Sequence, residues 1–127
     1  YTAMDGPCSK KISNINVKVK DFVSLPKGDE KAMLHALYNI GPLSIGVDAN
    51  QDWQLYKNGV YDPTENACDP EMLDHGVVLV GYGSDKGLDY WIIRNSWGED
   101  WGENGYIRLV RGKNACGVAN AVIYPVV

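Results

Sequence analysis

Basic runs are missing from this chain. No stretch of Lys and Arg exceeds the pair Lys10-Lys11, and the formal net charge is −4. That argues against nucleic acid or an anionic membrane surface as a partner. Long apolar runs are missing too: the longest lies near VVLVGY at 77–82, far short of the roughly 18 residues of a membrane span. The opening YTAMDGPCSKK has no apolar core behind its charges and does not read as a targeting segment. An initiator methionine is absent, which fits an arbitrary boundary and a chain cut from a longer precursor equally. Cysteine is sparse, with Cys8, Cys68 and Cys116 far apart and no CxxC pair. Metal-ligand spacing is therefore lacking, which disfavours a zinc site built from Cys68, His75 and Cys116. In an oxidising compartment two cysteines would pair, and the third would need a partner outside this chain.

What remains is ordinary for a globular domain: 127 residues, 45% hydrophobic and 22% charged. Such a chain fits one domain that buries roughly 65–70% of its unfolded surface. One Phe against eight Tyr and fourteen Gly leans toward a turn-rich β architecture. Residues 12–23 alternate Ile15, Val17 and Val19 with polar neighbours and predict an extended segment or strand. From Asp29 the run EKAMLHALYNI predicts a helix with Met33, Leu37 and Ile40 on one face and Leu34 adjoining. Asp29 or Gly28 would cap its start, and Gly41-Pro42 would end it. A strand at 42–49 follows, then at most a short helix in QDWQLYKNG and a loop-like, acidic stretch over 60–73. Strands are expected at 75–83, 89–97 and 105–112, then a turn near 114–118 and a last strand near 121–124. The order suits a small antiparallel, barrel-like sheet with one helix packed against it.

His75 begins a predicted strand after a loop and precedes a glycine, a good place from which to face a cleft. Taken alone, it reads more readily as a hydrogen-bonded histidine at a sheet rim. Its surroundings are more specific. LDHGVVLVGYG (73–83), YWIIRNSWGEDWGENGYIRL (90–109) and NACGVANAVIYP (114–125) together resemble the papain and cathepsin family. The similarity covers essentially the whole chain, and the NSWGxxWGxxGY string is its most particular element. Among family members the chain is most similar to the cathepsin L-like branch.

The resemblance implies an α+β, papain-like right-hand domain over about 25–127. A segment over about 1–24 would cross from an absent, helical left-hand half. It implies that His75 partners a nucleophilic cysteine and that Asn95 orients its ring. A thiol attacks well only as thiolate, and an adjacent imidazolium lowers its pKa. A neutral amide orients the ring without adding a second negative charge. Trp97 resembles the indole that covers this bond; Trp101 is expected to be structural, packing beneath the loop, with the motif glycines at positive φ. His35, on the helix, is expected to be exposed or capping. Gly46, Leu73, Gly76 and Ala121 resemble the pocket for the substrate residue second before the scissile bond. All are small or apolar, which favours a hydrophobic side chain there. Asp74 would bond the substrate main chain through its backbone, while Ala49 and Trp97 would line the leaving-group side.

The nucleophile's own signature, CGSCW or close to it, does not occur in this sequence. In the family it lies about 130–150 residues before the histidine, roughly 55–75 residues before Tyr1. Cys68 and Cys116 resemble the family's disulfide, and Cys8 resembles a cysteine bonded into the absent segment. The expectation is a fragment of a cathepsin L-like endopeptidase, inactive alone. Its partners would be the portion carrying the nucleophile, tethered through Cys8, and peptide or protein substrates. No cofactor or metal is implied. The resemblance places the enzyme in lysosome, vacuole or secretion; the chain has no N-x-S/T site to add. The rival reading is a non-catalytic relative, a peptide-binding, regulatory or storage protein whose nucleophile is replaced.

Overall fold

The computed structural model of the chain describes residues 4–7 and 17–127. Four alternating segments build the core. Leu43, Ile45 and Val47 of β2 (Leu43–Val47) point inward with Val77 and Leu79 of β4 (His75–Asp85). Trp91 and Ile93 of β5 (Leu88–Arg94) and Ile107 and Leu109 of β6 (Tyr106–Val110) complete the inner face. The period of two puts Ser44, Gly76 and Val78 on the opposite, exposed face. Neighbouring strands are antiparallel, with a register shift between Leu79 and Gly81.

The sheet has seven strands in the order β1-β7-β2-β4-β5-β6-β3. Its edges are β1 (Asp21–Ser24), paired with β7 (Val122–Val126), and β3 (Val60–Tyr61). The sheet is therefore open in its hydrogen bonding, where the sequence suggested a barrel-like closure. The two-residue β3 also runs parallel to β6, the one departure from the antiparallel expectation.

Helix α1 (Glu30–Asn39) packs on the inner face. The Asp29 side chain accepts from Ala32 N at 2.9 Å, so Asp29 is the cap, and Met33, Ala36 and Leu37 are buried. Ile40 departs from the predicted face and is 55% exposed. The helix ends at Asn39, and Gly41 at φ +129° turns the chain toward β2, so the helical period no longer aims that side chain. A second helix, α2 (Gln51–Leu55), is one turn capped by Asn50, and its Trp53 is fully buried. Of the extended segment predicted over 12–23, the described part is strand from Asp21, with 17–20 outside that strand. Val17 and Val19 are exposed, because the pairing runs out where Lys20 N donates to Val126 O; Ile15 lies outside the described residues.

Candidate active site

His75 opens β4, and Asn95 follows the last residue of β5. The β4–β5 register sets Val78 opposite Arg94, which brings these two strand ends together although they lie 20 residues apart. The Asn95 Oδ1 lies 2.8 Å from His75 Nε2 and accepts the Ser96 backbone N–H at 2.8 Å. An oxygen that already faces one N–H must be the amide's acceptor end, so the ring nitrogen beside it carries a proton. His75 Nε2 is the donor. Nδ1 then keeps the lone pair and is the nitrogen available to a reacting group.

Trp97 stacks on the imidazole at 4.9 Å between centroids and 25° between planes. Behind it Trp101 meets Trp97 edge-on at 5.3 Å, stacks against Trp53 at 6.4 Å, and donates its indole N–H to Trp53 O at 2.9 Å. Trp101 thus takes the structural place predicted for it. Gly98, Gly102 and Gly105 all have positive φ, as the motif suggested. The need is sharpest at Gly102, where a Cβ would lie 2.6 Å from Tyr106 O. His35 is exposed on α1, away from this group.

Beside His75 the surface sinks into an open depression of about 440 Å3, bordered also by Gly46, Leu73, Gly76, Ala121 and Ile123. The four residues assigned to one pocket from the sequence do share one depression. Gly46 sits tightly in it: a Cβ there would lie 3.1 Å from Leu73 Cδ1 and 3.5 Å from Ala121 Cβ. Asp74 joins its rim. Its backbone N–H donates to Val47 O, and its carboxylate accepts from Ala49 N at 2.9 Å. Of its two backbone groups, the carbonyl is the one left to meet a ligand's main chain. Ala49 is therefore tied to Asp74, whereas Trp97 is tied to His75 on the ring's stacked face.

Cys68 and Cys116 are bonded to each other across 48 residues, with their Cα atoms 4.8 Å apart. This removes the zinc set of Cys68, His75 and Cys116, since both sulfurs are already bonded; among the described residues no cluster of three metal-binding side chains occurs. Cys8 lies outside the described residues.

Two supporting carboxylates were not visible in the sequence. Glu103, within the WGENGY run, accepts from Gly59 N at 2.8 Å and holds Arg108 through both oxygens at 2.9 and 2.8 Å. The Arg108 guanidinium holds the Glu103 carboxyl below the usual carboxylate range. Glu30, in the first turn of α1, accepts from Trp91 Nε1 and from the backbone N–H groups of Gly112 and Asn114. Both act across distant segments, so no local spacing announces them. Burial pushes the Tyr56 hydroxyl above its ordinary value, and Tyr56 donates to Gly59 O at 2.6 Å.

The description of papain family cysteine proteases matches residues 1–126. The whole chain is 45% identical to a protein named cathepsin L from Sarcophaga peregrina and 47% identical to one named cathepsin L-like from Caenorhabditis elegans. It spans 38% of the length of each. Among solved structures, a digestive procathepsin L2 proteinase from Tenebrio molitor larval midgut matches with a TM-score of 0.93 at 32% identity. That match covers all of this chain and 40% of the other. The bromelain protease from Ananas comosus, solved in complex with the E64 inhibitor, matches with a TM-score of 0.90 at 36% identity over all of this chain and 59% of its own.

Proposed function

The chain belongs to the papain family of cysteine proteases, and on that premise we propose that it is the C-terminal part of a cathepsin L-like endopeptidase. It supplies His75, Asn95 and one wall of the substrate cleft; the nucleophilic cysteine belongs to a portion preceding Tyr1. The observation that carries this reading is the 2.8 Å His75–Asn95 contact, in which the amide's orientation leaves Nδ1 free. Two further features support it. Trp97 covers the ring, and the depression beside the ring has small and apolar borders.

The chemistry follows from the free nitrogen. His75 Nδ1 takes the proton of the incoming thiol, and the imidazolium so formed stabilises the thiolate. The thiolate adds to the scissile carbonyl. As the tetrahedral intermediate collapses, Nδ1–H gives its proton to the leaving amine, which leaves a thioester. Water then enters, loses a proton to Nδ1 and releases the acid. Asn95 Oδ1 holds Nε2–H throughout, so the ring neither turns nor changes tautomer. Trp97 keeps water off one face of the imidazole, so electrostatic interactions there are less screened. No metal or cofactor enters the scheme.

The depression at Gly46, Leu73, Gly76 and Ala121 takes the side chain second before the scissile bond, and its borders favour a hydrophobic one. The Asp74 carbonyl meets the substrate main chain, and Ala49 and Trp97 flank the departing product. Residues up to about 24 cross from the nucleophile-bearing half, with Cys8 bonded into it, in a lysosomal, vacuolar or secreted enzyme working at mildly acidic to neutral pH.

A thiol-reactive active-site epoxide tests the reading on the complete protein. One covalent label per molecule, lost together with peptide hydrolysis in His75→Ala, is the expected result. An intact cleft that takes no label would make the protein a non-catalytic peptide-binding relative. Peptidase activity from the isolated chain would overturn the mechanism. Intact mass before and after reduction tests Cys8: release of a second polypeptide is expected, and an unchanged 14.0 kDa chain would rule out the tether.

A further inference from the structure

Two N–H donors converge on the sulfurs of the Cys68–Cys116 bond. Trp53 Nε1 lies 3.3 Å from Cys116 Sγ, and Asn50 Nδ2 lies 3.4 Å from Cys68 Sγ. Trp53 is fully buried, and that sulfur is the only partner of its indole N–H among the described residues. A disulfide sulfur is a weak acceptor, whereas a thiolate accepts a charge-assisted hydrogen bond. The Trp53 donor therefore favours the reduced pair, whereas Asn50 Nδ2 is already held by Ala67 O and Tyr61 Oη and adds little. Access is unequal: Cys116 is 3% exposed, while Cys68 is only partly buried. Both line an open depression of about 310 Å3, bordered also by Asp62, Lys113 and Asn114.

We propose that Cys68 is a thiol-exchange site for a low-molecular-weight thiol, and that opening its bond to Cys116 loosens the cleft wall ahead of His75. The incoming thiolate attacks Cys68 Sγ through the depression. A bond forms between the two sulfurs, the Cys68–Cys116 bond breaks, and the electron pair leaves on Cys116 Sγ, facing the Trp53 N–H. A second thiolate displaces Cys68 and carries away the symmetrical disulfide of the small thiol. The chain gains two electrons and, on protonation, two protons; two small thiols are oxidised.

The bond clamps two segments that already lie flat on each other. Gly117 follows Cys116 at φ +71°, and a Cβ there would lie 2.6 Å from Leu73 Cδ2 and 2.7 Å from Pro70 O. Without the bond, the segment from Cys68 to Leu73 keeps the Asn120–Pro70 and Asp69 N–Asp48 hydrogen bonds and an exposed Lys27–Glu71 pair, a thin set of tethers beside the covalent link. His75 stays in β4, opposite Val47, and Asn95 N stays on Gly105 O. Reduction therefore acts on the Leu73 side of the depression and spares the His75–Asn95 pair. That consequence for substrate rests on the protease reading; the exchange chemistry does not.

The experiment titrates the full polypeptide with 2-mercaptoethanol under native conditions, then traps with acid and maps the cysteines by peptide mass. A mixed disulfide on Cys68 while near-ultraviolet circular dichroism stays native is the expected result. A mixed disulfide on Cys116, or reduction only as the signal is lost, overturns the proposal. Trp53→Phe should need about five-fold more thiol for half reduction. Trp53→Met, which also lacks the donor, should shift the same way if Trp53→Phe does not fold. No shift in a folded variant overturns the role of the Trp53 donor. Hydrogen exchange reads the loosening without any activity: the Met72 and Asp74 amides should exchange at least about ten-fold faster on reduction, with Asn95 unchanged. Unchanged exchange at Met72 and Asp74 overturns the coupling. In the complete protease, replacing both cysteines by serine should raise KM about ten-fold with kcat spared, and an unchanged KM counts against the coupling. Absence of hydrolysis by the unaltered protein would instead sink the protease reading alone.

Discussion

At the scale of single residues the site depends on one amide oxygen. Asn95 Oδ1 accepts from both His75 and Ser96, so the side chain cannot flip without setting two donors against each other. Asn95→Ala removes the restraint on the ring while leaving Trp97 stacked above it. We expect kcat/KM to fall about 10–100-fold, the cost of losing one well-placed hydrogen bond to a group that becomes charged, as steady-state kinetics on the complete protein would measure. An effect below two-fold would show that Trp97 alone orients the ring. Gly46 makes a different residue-scale prediction. Its missing Cβ leaves room in front of Leu73 and Ala121, and one methyl at 3.1 Å from Leu73 Cδ1 narrows the depression. Gly46→Ala should raise KM several-fold, roughly the worth of about 1 kcal/mol, for substrates with a large hydrophobic residue second before the scissile bond. Substrates with a small residue there should be spared. Equal losses for both would mean that this depression does not take that residue.

Among elements, the loop between β5 and β6 does the positioning. Its glycines at 98, 102 and 105 fold it tightly enough for Asn95 N to reach Gly105 O and for Gly105 N to reach Trp101 O. Glu103 then staples the loop to β6 through Arg108 and to the chain before β3 through Gly59. Because the folded-state Glu103 carboxyl titrates below its ordinary range, the stability it contributes is present above that range. It is lost as pH falls through the lowered value. Glu103→Gln should therefore cost about 1–2 kcal/mol at neutral pH, with the difference from the unaltered chain shrinking in acid. Denaturant unfolding at several pH values checks both the size and the direction. A pH-independent difference would assign the loss to packing and not to charge.

Across the whole molecule, the sheet has one face covered by α1 and another that is not. Val78 and Ile123 are 39% and 40% exposed on their strands, and Phe22 is 62% exposed on edge strand β1. If the nucleophile-bearing half covers this side, the isolated chain should associate as its concentration rises, and light scattering should report species larger than 14.0 kDa. Co-expression with the proposed nucleophile-bearing portion should return one defined particle. A monodisperse isolated chain would count against such a portion covering this face. The bond between Cys68 and Cys116 limits the unfolded chain at this same scale: closing 48 residues is worth about 4 kcal/mol in the loop-entropy description.

The sequence alone determined what depends on local pattern. The start of α1 near Asp29, the existence of the strands β2, β4 and β5, and the positive φ at the motif glycines all follow from local pattern and residue type. The pairing of His75 with Asn95 was legible only because an extended motif carried it; their separation by itself is silent. Tertiary structure decided the rest. It left the sheet open, set β3 parallel, turned Ile40 outward, and recruited Glu103 and Glu30 to distant backbone groups. The orientation of the Asn95 amide was settled there too, by a neighbouring N–H, and with it which imidazole nitrogen is free. Local pattern says which way a side chain points along its own element. Which donor waits at the end of it depends on how far the other elements bring their backbones, and no spacing in the sequence encodes that distance.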